Sequence, residues 1–256
     1  MMKKKQVKAE KIELKSGERI DDLLIDNLEL IQHPDHFCFS LDAVLLANFI
    51  NPSSGSEVLD LGTGTGIIPH LMQAKYELNK ICGIDIQPQM IDMAKRSARY
   101  NGLIEELDFL ELDLKDALDH FGTETFDYIV SNPPYLKENS GQVSPKESIA
   151  IARHELKSKL EDVVKTSNQL VKYGGKVAYV YRIQRLNELM SLMEKYNLTC
   201  KRMRMVHSTI DSPADLVLVE AKKGGGTNLE VLPPLFIYDH EGNYTTEINE
   251  IYNVEE

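Results

Sequence analysis

Three glycines at alternating positions join a short apolar run to a helix-forming run in Asp60-Leu61-Gly62-Thr63-Gly64-Thr65-Gly66. Glycine adopts positive φ at little cost, so this segment predicts a sharp strand-to-helix turn that a ligand can approach closely. Free N–H groups at such a helix start are suited to meet the polar groups of a ligand. The G-x-G-x-G spacing is tighter than the G-x-G-x-x-G of dinucleotide-binding proteins. Asp60, Gly62, Gly64 and Gly66 are therefore candidate cofactor-binding residues.

Strand and helix signals alternate from this turn onward. The predicted strands cover residues 57–61, 80–86, 107–112, 125–131, 176–181, 198–207 and 214–221. The predicted helices cover residues 41–50, 67–76, 88–101, 156–172 and 183–196. Such alternation predicts an α/β fold with a mostly parallel seven-stranded sheet, helices on both faces and an antiparallel terminal strand.

Three segments are predicted from the changes in composition along the chain. Residues 1–50 form an N-terminal extension with a lead-in helix, 51–221 the central α/β domain, and 222–256 a C-terminal extension. Within the central domain, the polar stretch 136–155 is predicted to be a long loop. Long loops inside compact domains are usually functional or disordered.

Acidic residues end the second and third predicted strands. Asp85, followed by Ile86, lies 19 residues past Gly66, and Asp113 is followed by Leu114. A carboxylate in the position of Asp85 accepts hydrogen bonds from ribose hydroxyls, and Asp113 is placed to reach the amino group of an adenine. Ligands bind at the carboxyl ends of the strands in such sheets, so we expect these residues to line the same pocket as the glycine turn. The alternative is that both acids are simply helix N-caps.

The fourth predicted strand ends in Ser131-Asn132-Pro133-Pro134-Tyr135. The two prolines fix φ and remove two N–H donors, so this segment is stiff and presents carbonyl groups. An amino group on an aromatic ring is a poor nucleophile because its lone pair is delocalised. The Asn132 side-chain oxygen and the Pro133 carbonyl are suited to hold both of its N–H groups and favour a tetrahedral nitrogen. Tyr135 is suited to stack on the planar group, and the alternative is a rigid turn without a catalytic role.

These motifs together resemble the class I S-adenosylmethionine-dependent methyltransferases of the amino-methylating "NPPY" type, over about residues 35–221. The segment from His36 to Ala47 also resembles the F-x-x-D-x-x-L-L stretch of the "small domain" methyltransferases, with Phe39 and Asp42 at its characteristic positions. The resemblance implies a Rossmann-like methyltransferase fold and S-adenosylmethionine as cofactor. It also implies that Asn132 contacts the cofactor as well as the acceptor.

Within this type the chain is most similar to the bacterial tRNA-valine adenine-N6 methyltransferase group, which implies tRNA as the partner. An adenine in a structured RNA must be unstacked before it enters the pocket, and loop bases cost least to extract. Phe39, Asp42, Lys137, Arg153 and His154 are candidate substrate-contacting residues. His154 is interpreted as a phosphate contact or surface residue rather than a general base, because the methylated nitrogen loses its proton readily.

The net charge of −11 disfavours non-specific binding of a polyanion unless positive charge is concentrated locally. Such concentrations occur at Lys3–Lys11 and at Lys201, Arg202 and Arg204, although each is also consistent with an ordinary solvated surface.

No apolar run reaches the length needed to span a membrane, and the start has no secretory signal. The three cysteines have no paired spacing, so no disulfide framework or metal site is expected, and a reducing cytoplasm fits.

Other functions remain open on the sequence. A protein methyltransferase that modifies a glutamine side-chain amide needs the same acceptors, because an amide nitrogen is equally planar. Those enzymes carry a helical N-terminal domain, whereas only 59 residues precede Asp60. A guanine-N2 rRNA methyltransferase is a further alternative. A dinucleotide-dependent oxidoreductase is disfavoured by the glycine spacing, and a non-catalytic RNA-binding protein by the presence of both halves of the site.

Overall fold

The computed structural model describes residues 12–35, 41–133 and 159–252. Its strands are β1 (Arg19–Asp22), β2 (Glu29–Gln32), β3 (Glu57–Leu61), β4 (Lys80–Asp85), β5 (Leu107–Glu111), β6 (Phe126–Ser131), β7 (Val171–Arg182), β8 (Leu198–His207), β9 (Ala214–Lys223), β10 (Glu230–Val231) and β11 (Leu235–Phe236). Its α-helices are α1 (Leu41–Phe49), α2 (Ile67–Lys75), α3 (Pro88–Tyr100), α4 (Ala117–Phe121), α5 (Leu160–Leu170), α6 (Leu186–Lys195) and α7 (Thr246–Ile251).

One sheet organises the molecule, and its strand order is β10-β8-β9-β7-β6-β3-β4-β5, with β11 also paired to β8. Every pairing is parallel except those of β9, which runs antiparallel to both β7 and β8. The predicted α/β fold is confirmed. The described residues contribute nine strands rather than seven, because the short β10 and β11 add to the free edge of β8.

Helices cover both faces of this sheet. The apolar core on one face includes α1, α2 and α3, and the core on the other face includes α4, α5 and α6. The central strand residues are buried, as expected for parallel strands that are covered on both sides. No helix in the described ranges is long and apolar enough to cross a membrane.

The boundaries of the central elements follow local sequence signals. Pro88 lies at the start of α3, where its missing N–H costs nothing, and Gly102 after the helix has a φ of 69°. The predicted helix over 156–172 ends earlier, at Leu170, and β7 begins directly at Val171 and runs through Gly174-Gly175. Gly175 is required there, because a Cβ atom would lie 2.8 Å from the carbonyl oxygen of Asp127.

The N-terminal extension contains an antiparallel hairpin of β1 and β2 that the sequence analysis does not predict. Its strands have only four residues each, and the turn between them places Leu24, Asp26 and Asn27 at positive φ. Short strands joined by such a turn give a weak periodic signal. The hairpin packs on α3 and leads, through residues 36–40, into α1.

The C-terminal segment packs along the free edge of the sheet. β10 pairs in parallel with Arg202 and Met203, and β11 pairs with Val206 and His207. Helix α7 then returns to α1, where the fully buried Ile248 joins the core. Covering an edge strand in this way prevents its unpaired backbone groups from recruiting another chain.

Candidate cofactor and acceptor site

The candidate residues converge because parallel strands end at one edge of the sheet. In β3, Leu61 pairs with Ile84 of β4 on one side and with Ser131 of β6 on the other. Asp85 pairs with Glu111 at the end of β5. The glycine turn, Asp85 and Asn132 therefore follow neighbouring strand ends, as the sequence analysis predicts.

The glycine turn has the conformation that its spacing predicts. Gly62, Gly64 and Gly66 have φ values of 76°, 55° and 82°. Among the described residues, no atom lies within 4 Å of a Cβ built on Gly62 or Gly64, whereas a Cβ on Gly66 would lie 2.7 Å from the Phe109 ring. The first two glycines therefore leave open space for a ligand, and the third allows α2 to pack against its neighbours.

The backbone N–H groups of this turn are mostly occupied, which corrects the expectation of free donors. The N–H groups of Gly62 and Thr63 both donate to the Ile84 carbonyl, at 2.9 Å each. The Gly66 N–H donates to the Thr63 carbonyl at 2.9 Å, and the Gly64 N–H donates to the Asp85 carboxylate at 3.0 Å. Three of these bonds tie the turn to β4, the fourth closes the turn on itself, and the donors they use are not available to a ligand.

Asp85 is buried and links the two candidate cofactor motifs. One carboxylate oxygen accepts from Gly64, and the other accepts from the Gln87 backbone N–H at 2.9 Å. A carboxylate has about four lone-pair positions, so acceptor capacity remains for ligand hydroxyls. The N-cap of α3 is Gln87, so Asp85 is not a helix cap. Ile86 lies between these two residues.

Asp113 lies beyond β5 and is half-buried. Its carboxylate accepts a hydrogen bond from the Lys115 N–H at 3.0 Å, which fixes the local turn. Asp116, rather than Asp113, is the N-cap of α4. The carbonyl of the adjacent Leu114 accepts from the Thr166 hydroxyl at 3.3 Å, so this loop is joined to α5.

Asp60 is fully buried at the end of β3. Burial raises the pKa of its carboxyl from 3.8 to about 7, the neighbouring Thr63 hydroxyl opposes that shift, and the negative charge of Asp85 adds to it. Neither oxygen of Asp60 has an aligned hydrogen bond among the described residues. An isolated buried carboxylate is costly, so this group favours a cationic or hydrogen-bond-donating ligand.

A further buried acceptor lies beside the turn. Among the described residues, the Gln32 side-chain oxygen also lacks a hydrogen-bond partner. Buried polar atoms are normally hydrogen-bonded, so unpartnered acceptors beside the turn are candidate positions for ligand donors. S-adenosylmethionine carries an ammonium group and ribose hydroxyls as donors. The residues present therefore fit this cofactor.

The acceptor motif follows the end of β6. The Ser131 hydroxyl donates to the Leu61 carbonyl at 2.7 Å, which joins the strand ends that precede Asn132 and Gly62. Asn132 is half-buried and Pro133 is buried. Tyr135 lies outside the described residues, as do Phe39, Lys137, Arg153 and His154; Asp42 is half-buried in the first turn of α1.

Two further residues contact the turn, and no local sequence pattern predicts either of them. Gln32, at the end of β2, donates from Nε2 to the Thr65 hydroxyl at 2.7 Å. His70 is fully buried in α2 with Nδ1 2.7 Å from the Gly66 carbonyl and its ring stacked on Phe109 at 5.8 Å. Burial lowers the pKa of His70 to about 4. Both contacts depend on tertiary structure, so no local pattern predicts them.

The basic cluster near residue 201 is engaged within the protein. Lys201 donates to the Gly226 carbonyl at 3.0 Å, and Arg202 is half-buried against the Phe49 ring and donates to the Phe49 carbonyl. Arg204 pairs with Glu247 at 2.6 Å. This cluster therefore does not form an open basic surface, and Lys3–Lys11 lie outside the described residues.

A cleft of about 500 Å³ lined by Ser54, Tyr76 and Asn79 lies at the opposite, amino-terminal end of β3 and β4. Among the described residues, no group of three or more His, Cys, Asp or Glu side chains is arranged to hold a metal ion.

Comparison with protein families and curated relatives gives concordant results. The family model described as "Methyltransferase domain" matches residues 52–224. A Porphyromonas gingivalis protein named tRNA1(Val) (adenine(37)-N6)-methyltransferase is 27% identical over 218 residues, which is 80% of this chain and 83% of that protein. A Methanocaldococcus jannaschii protein named putative protein N5-glutamine methyltransferase is 35% identical over 112 residues, 44% of this chain and 53% of that protein.

Solved structures share the fold. A predicted O-methyltransferase from Agrobacterium tumefaciens superposes with a TM-score of 0.67 at 20% identity, covering 83% of this chain and 95% of that one. A Streptomyces coelicolor geranyl diphosphate C-methyltransferase, solved with S-adenosyl-L-homocysteine, gives a TM-score of 0.53 at 12% identity. The superposition covers 72% of this chain and 80% of that one. At these identities the likeness concerns the fold alone.

Proposed function

This chain belongs to the methyltransferase-domain family and is an S-adenosylmethionine-dependent methyltransferase, and from that premise we propose that it methylates the N6 amino group of an adenine in tRNA. The proposed acceptor is the anticodon-loop purine of a tRNA-valine. Several curated relatives that carry this activity in their names are 22–28% identical to this chain, which supports the proposal. We place the reaction in the cytoplasm, where tRNA is modified.

The observation that carries the proposal is the position of Asn132 relative to the glycine turn. Leu61 and Ser131 are register partners and are joined by a side-chain hydrogen bond, so Asn132 and Gly62 are the next residues on adjacent parallel strands. Adjacent strands lie about 4.8 Å apart. An amino group held at Asn132 is therefore close to a ligand held over the turn.

The chain's own residues position the reactants. The Asn132 side-chain oxygen and the Pro133 carbonyl accept the two N–H groups of the adenine, which directs the nitrogen lone pair toward the cofactor and favours positive charge on that nitrogen. S-adenosylmethionine, when bound, supplies an electrophilic methyl group. Asp60, the glycine turn, Asp85 and Asp113 hold it, with Ile86 and Leu114 beside them. The proton released from the methylated nitrogen passes to water, because that nitrogen is acidic.

We assign the remaining candidates to the substrate. Tyr135 stacks on the adenine ring, and such stacking contributes about 1–3 kcal/mol per base. Phe39 and Asp42 are assigned to contacts with the substrate. Lys137, Arg153 and His154 are assigned to phosphate contacts.

The test compares acceptors with the purified full-length chain. Labelled methyl transfer is measured to an unmodified tRNA-valine transcript, to the same transcript with the adenine beside the anticodon replaced by guanine, and to a release factor. We expect transfer to the first RNA alone. Asn132→Ala is expected to lower kcat/KM by about 100-fold or more, the size typical of removing one oriented hydrogen-bonding group, while cofactor affinity stays within a few-fold.

The matched control is Asn79→Ala, because Asn79 is exposed at the opposite end of β4. It should leave transfer unchanged. Equal transfer to both RNAs, or native activity of Asn132→Ala, would contradict the proposal.

A second candidate is methylation of a protein glutamine. It is favoured by the Methanocaldococcus jannaschii relative, whose 112-residue match has the higher identity of 35%. Labelling of the release factor, with no labelling of tRNA, would replace the adenine proposal with this one. The same Asn132 and Pro133 acceptors would then hold the amide nitrogen.

A further inference from the structure

The hairpin of β1 and β2 is fastened to α3 along its outer edge. The Asn101 side chain donates to the Glu29 carbonyl at 2.7 Å and accepts from the Glu29 N–H at 3.1 Å. One step further, the Ser97 hydroxyl accepts from the Ile31 N–H at 2.9 Å. Three outward-facing backbone groups of β2 are thus satisfied by helix side chains, and the next residue of the strand is Gln32.

Gln32 extends from this anchored strand into the cofactor turn. Its side chain is fully buried, and Nε2 donates to the Thr65 hydroxyl, which is also buried. Thr65 lies between Gly64 and Gly66, both at positive φ. A residue between two glycines has unusually free backbone on both sides, so fixing its side chain restricts the whole turn.

The stability of the fold does not explain the choice of glutamine. Among the described residues the Gln32 side-chain oxygen has no hydrogen-bond partner, although the atom is buried. An unmet buried acceptor costs more free energy than one neutral hydrogen bond contributes, so an apolar residue would suit a purely structural position better. The contact with Thr65 is therefore explained by its effect on the conformation of the glycine turn rather than by a contribution to the stability of the fold.

We propose that Gln32 is a positioning residue for the cofactor site, which holds Thr65 and thereby pre-organises the glycine turn for S-adenosylmethionine. The N-terminal hairpin is then part of the cofactor-binding machinery. A turn that is fixed before binding loses less entropy when the ligand arrives. The inference concerns cofactor binding alone and does not depend on the identity of the acceptor.

The test separates cofactor binding from stability in the full-length chain. The variants are Gln32→Met, Thr65→Val and the double variant, which remove one or both polar groups and keep the side-chain shapes similar. Affinity for S-adenosylhomocysteine and its enthalpy and entropy are measured by calorimetry, and thermal unfolding is measured without ligand. We expect each single variant to weaken binding by about three- to tenfold, through a less favourable entropy.

The double variant gives the decisive result. It should bind no more weakly than either single variant, because both remove the same contact. Its melting temperature should at least match that of the native chain, because two apolar groups replace an incompletely satisfied polar pair. Thr65→Ser, which keeps the hydroxyl that accepts from Gln32, should bind the ligand with native affinity.

Leu189→Ala is the control, because Leu189 is fully buried in α6, in the core on the other face of the sheet from the hairpin. It should lower the melting temperature through lost packing and leave ligand affinity within twofold of native. The proposal is overturned if the double variant binds like the native chain, or if Leu189→Ala weakens binding as much as Gln32→Met does.

Discussion

The Asp85 carboxylate accepts a hydrogen bond from the Gly64 backbone N–H at 3.0 Å, and this contact joins the two segments that we propose form the cofactor site. A carboxylate that accepts a backbone N–H fixes the position of the peptide that donates it. The end of β4 therefore sets the shape of the turn after β3. The same side chain has capacity left to receive ligand hydroxyls.

Asp85→Asn should weaken binding of S-adenosylhomocysteine by about 10- to 100-fold, because the amide keeps one acceptor oxygen and presents NH2 donors to Gly64 or Gln87. Calorimetry measures the effect. Asp108→Asn is the matched control, since Asp108 lies on β5 and pairs at the surface with Lys80. Similar losses of affinity in the two variants would show that Asp85 has no specific role.

Asp60→Asn should separate stability from binding. The folded-state pKa of Asp60 is about 7, above 3.8, so the stability this residue contributes is present at low pH and lost as pH rises through 7. That shift corresponds to roughly 4 kcal/mol at full ionisation. The variant should therefore unfold at higher denaturant concentration than the native chain at pH 8, with little difference at pH 4.

Cofactor binding should respond in the opposite direction. The ammonium group of the ligand favours ionised Asp60, so native affinity should increase from pH 6 to pH 8, while Asp60→Asn should bind weakly with a flat profile. Calorimetry at several pH values gives both curves. A flat native profile would mean that Asp60 does not titrate with ligand binding.

The sequence predicts the central sheet well because its signals are local. The strand from Leu198 to His207 has the predicted bounds, and α3 begins at Pro88 and ends one residue before the predicted end. The positions of Asp85 and Asn132 follow from one rule, that parallel strands end at the same edge. These predictions depend only on local sequence and on the direction of the strands, and not on contacts between distant residues.

The details that control the site depend on distant contacts. The Gly64 N–H is occupied by Asp85, 21 residues away, and Thr65 is held by Gln32, 33 residues away. The periodicity of a four-residue strand such as β2 is too weak to place Gln32. The free donors predicted for the glycine turn are wrong largely for the same reason, since the N–H groups of Gly62, Thr63 and Gly64 donate to β4.

His70→Asn should remove a pH dependence of stability. The folded-state pKa of His70 is about 4, below 6.5, so its contribution is present above pH 6.5 and lost as pH falls toward 4. The full shift corresponds to roughly 3 kcal/mol. Asparagine keeps a donor for the Gly66 carbonyl and does not titrate. Urea unfolding should show the native chain losing stability relative to this variant between pH 7 and pH 4.5; parallel curves would contradict the assignment.

Gly62→Ala and Gly66→Ala test whether the first glycine of the turn leaves space for the ligand and the third allows α2 to pack. Both positions have positive φ, which costs alanine about 1–2 kcal/mol. At Gly62 the added Cβ meets no atom of the part of the chain that the structure describes, so the variant should fold with about that loss and bind S-adenosylhomocysteine at least tenfold more weakly, because the methyl group occupies ligand space.

At Gly66 the Cβ would lie 2.7 Å from the Phe109 ring and 3.2 Å from Ala94, so packing between α2 and its neighbours must shift. Gly66→Ala should lose about 1–3 kcal/mol more stability than Gly62→Ala, the usual cost of overpacking a core. Denaturant unfolding and calorimetry on both variants give the comparison. If Gly62→Ala is the less stable variant and keeps native affinity, the open space at Gly62 is not where the cofactor binds.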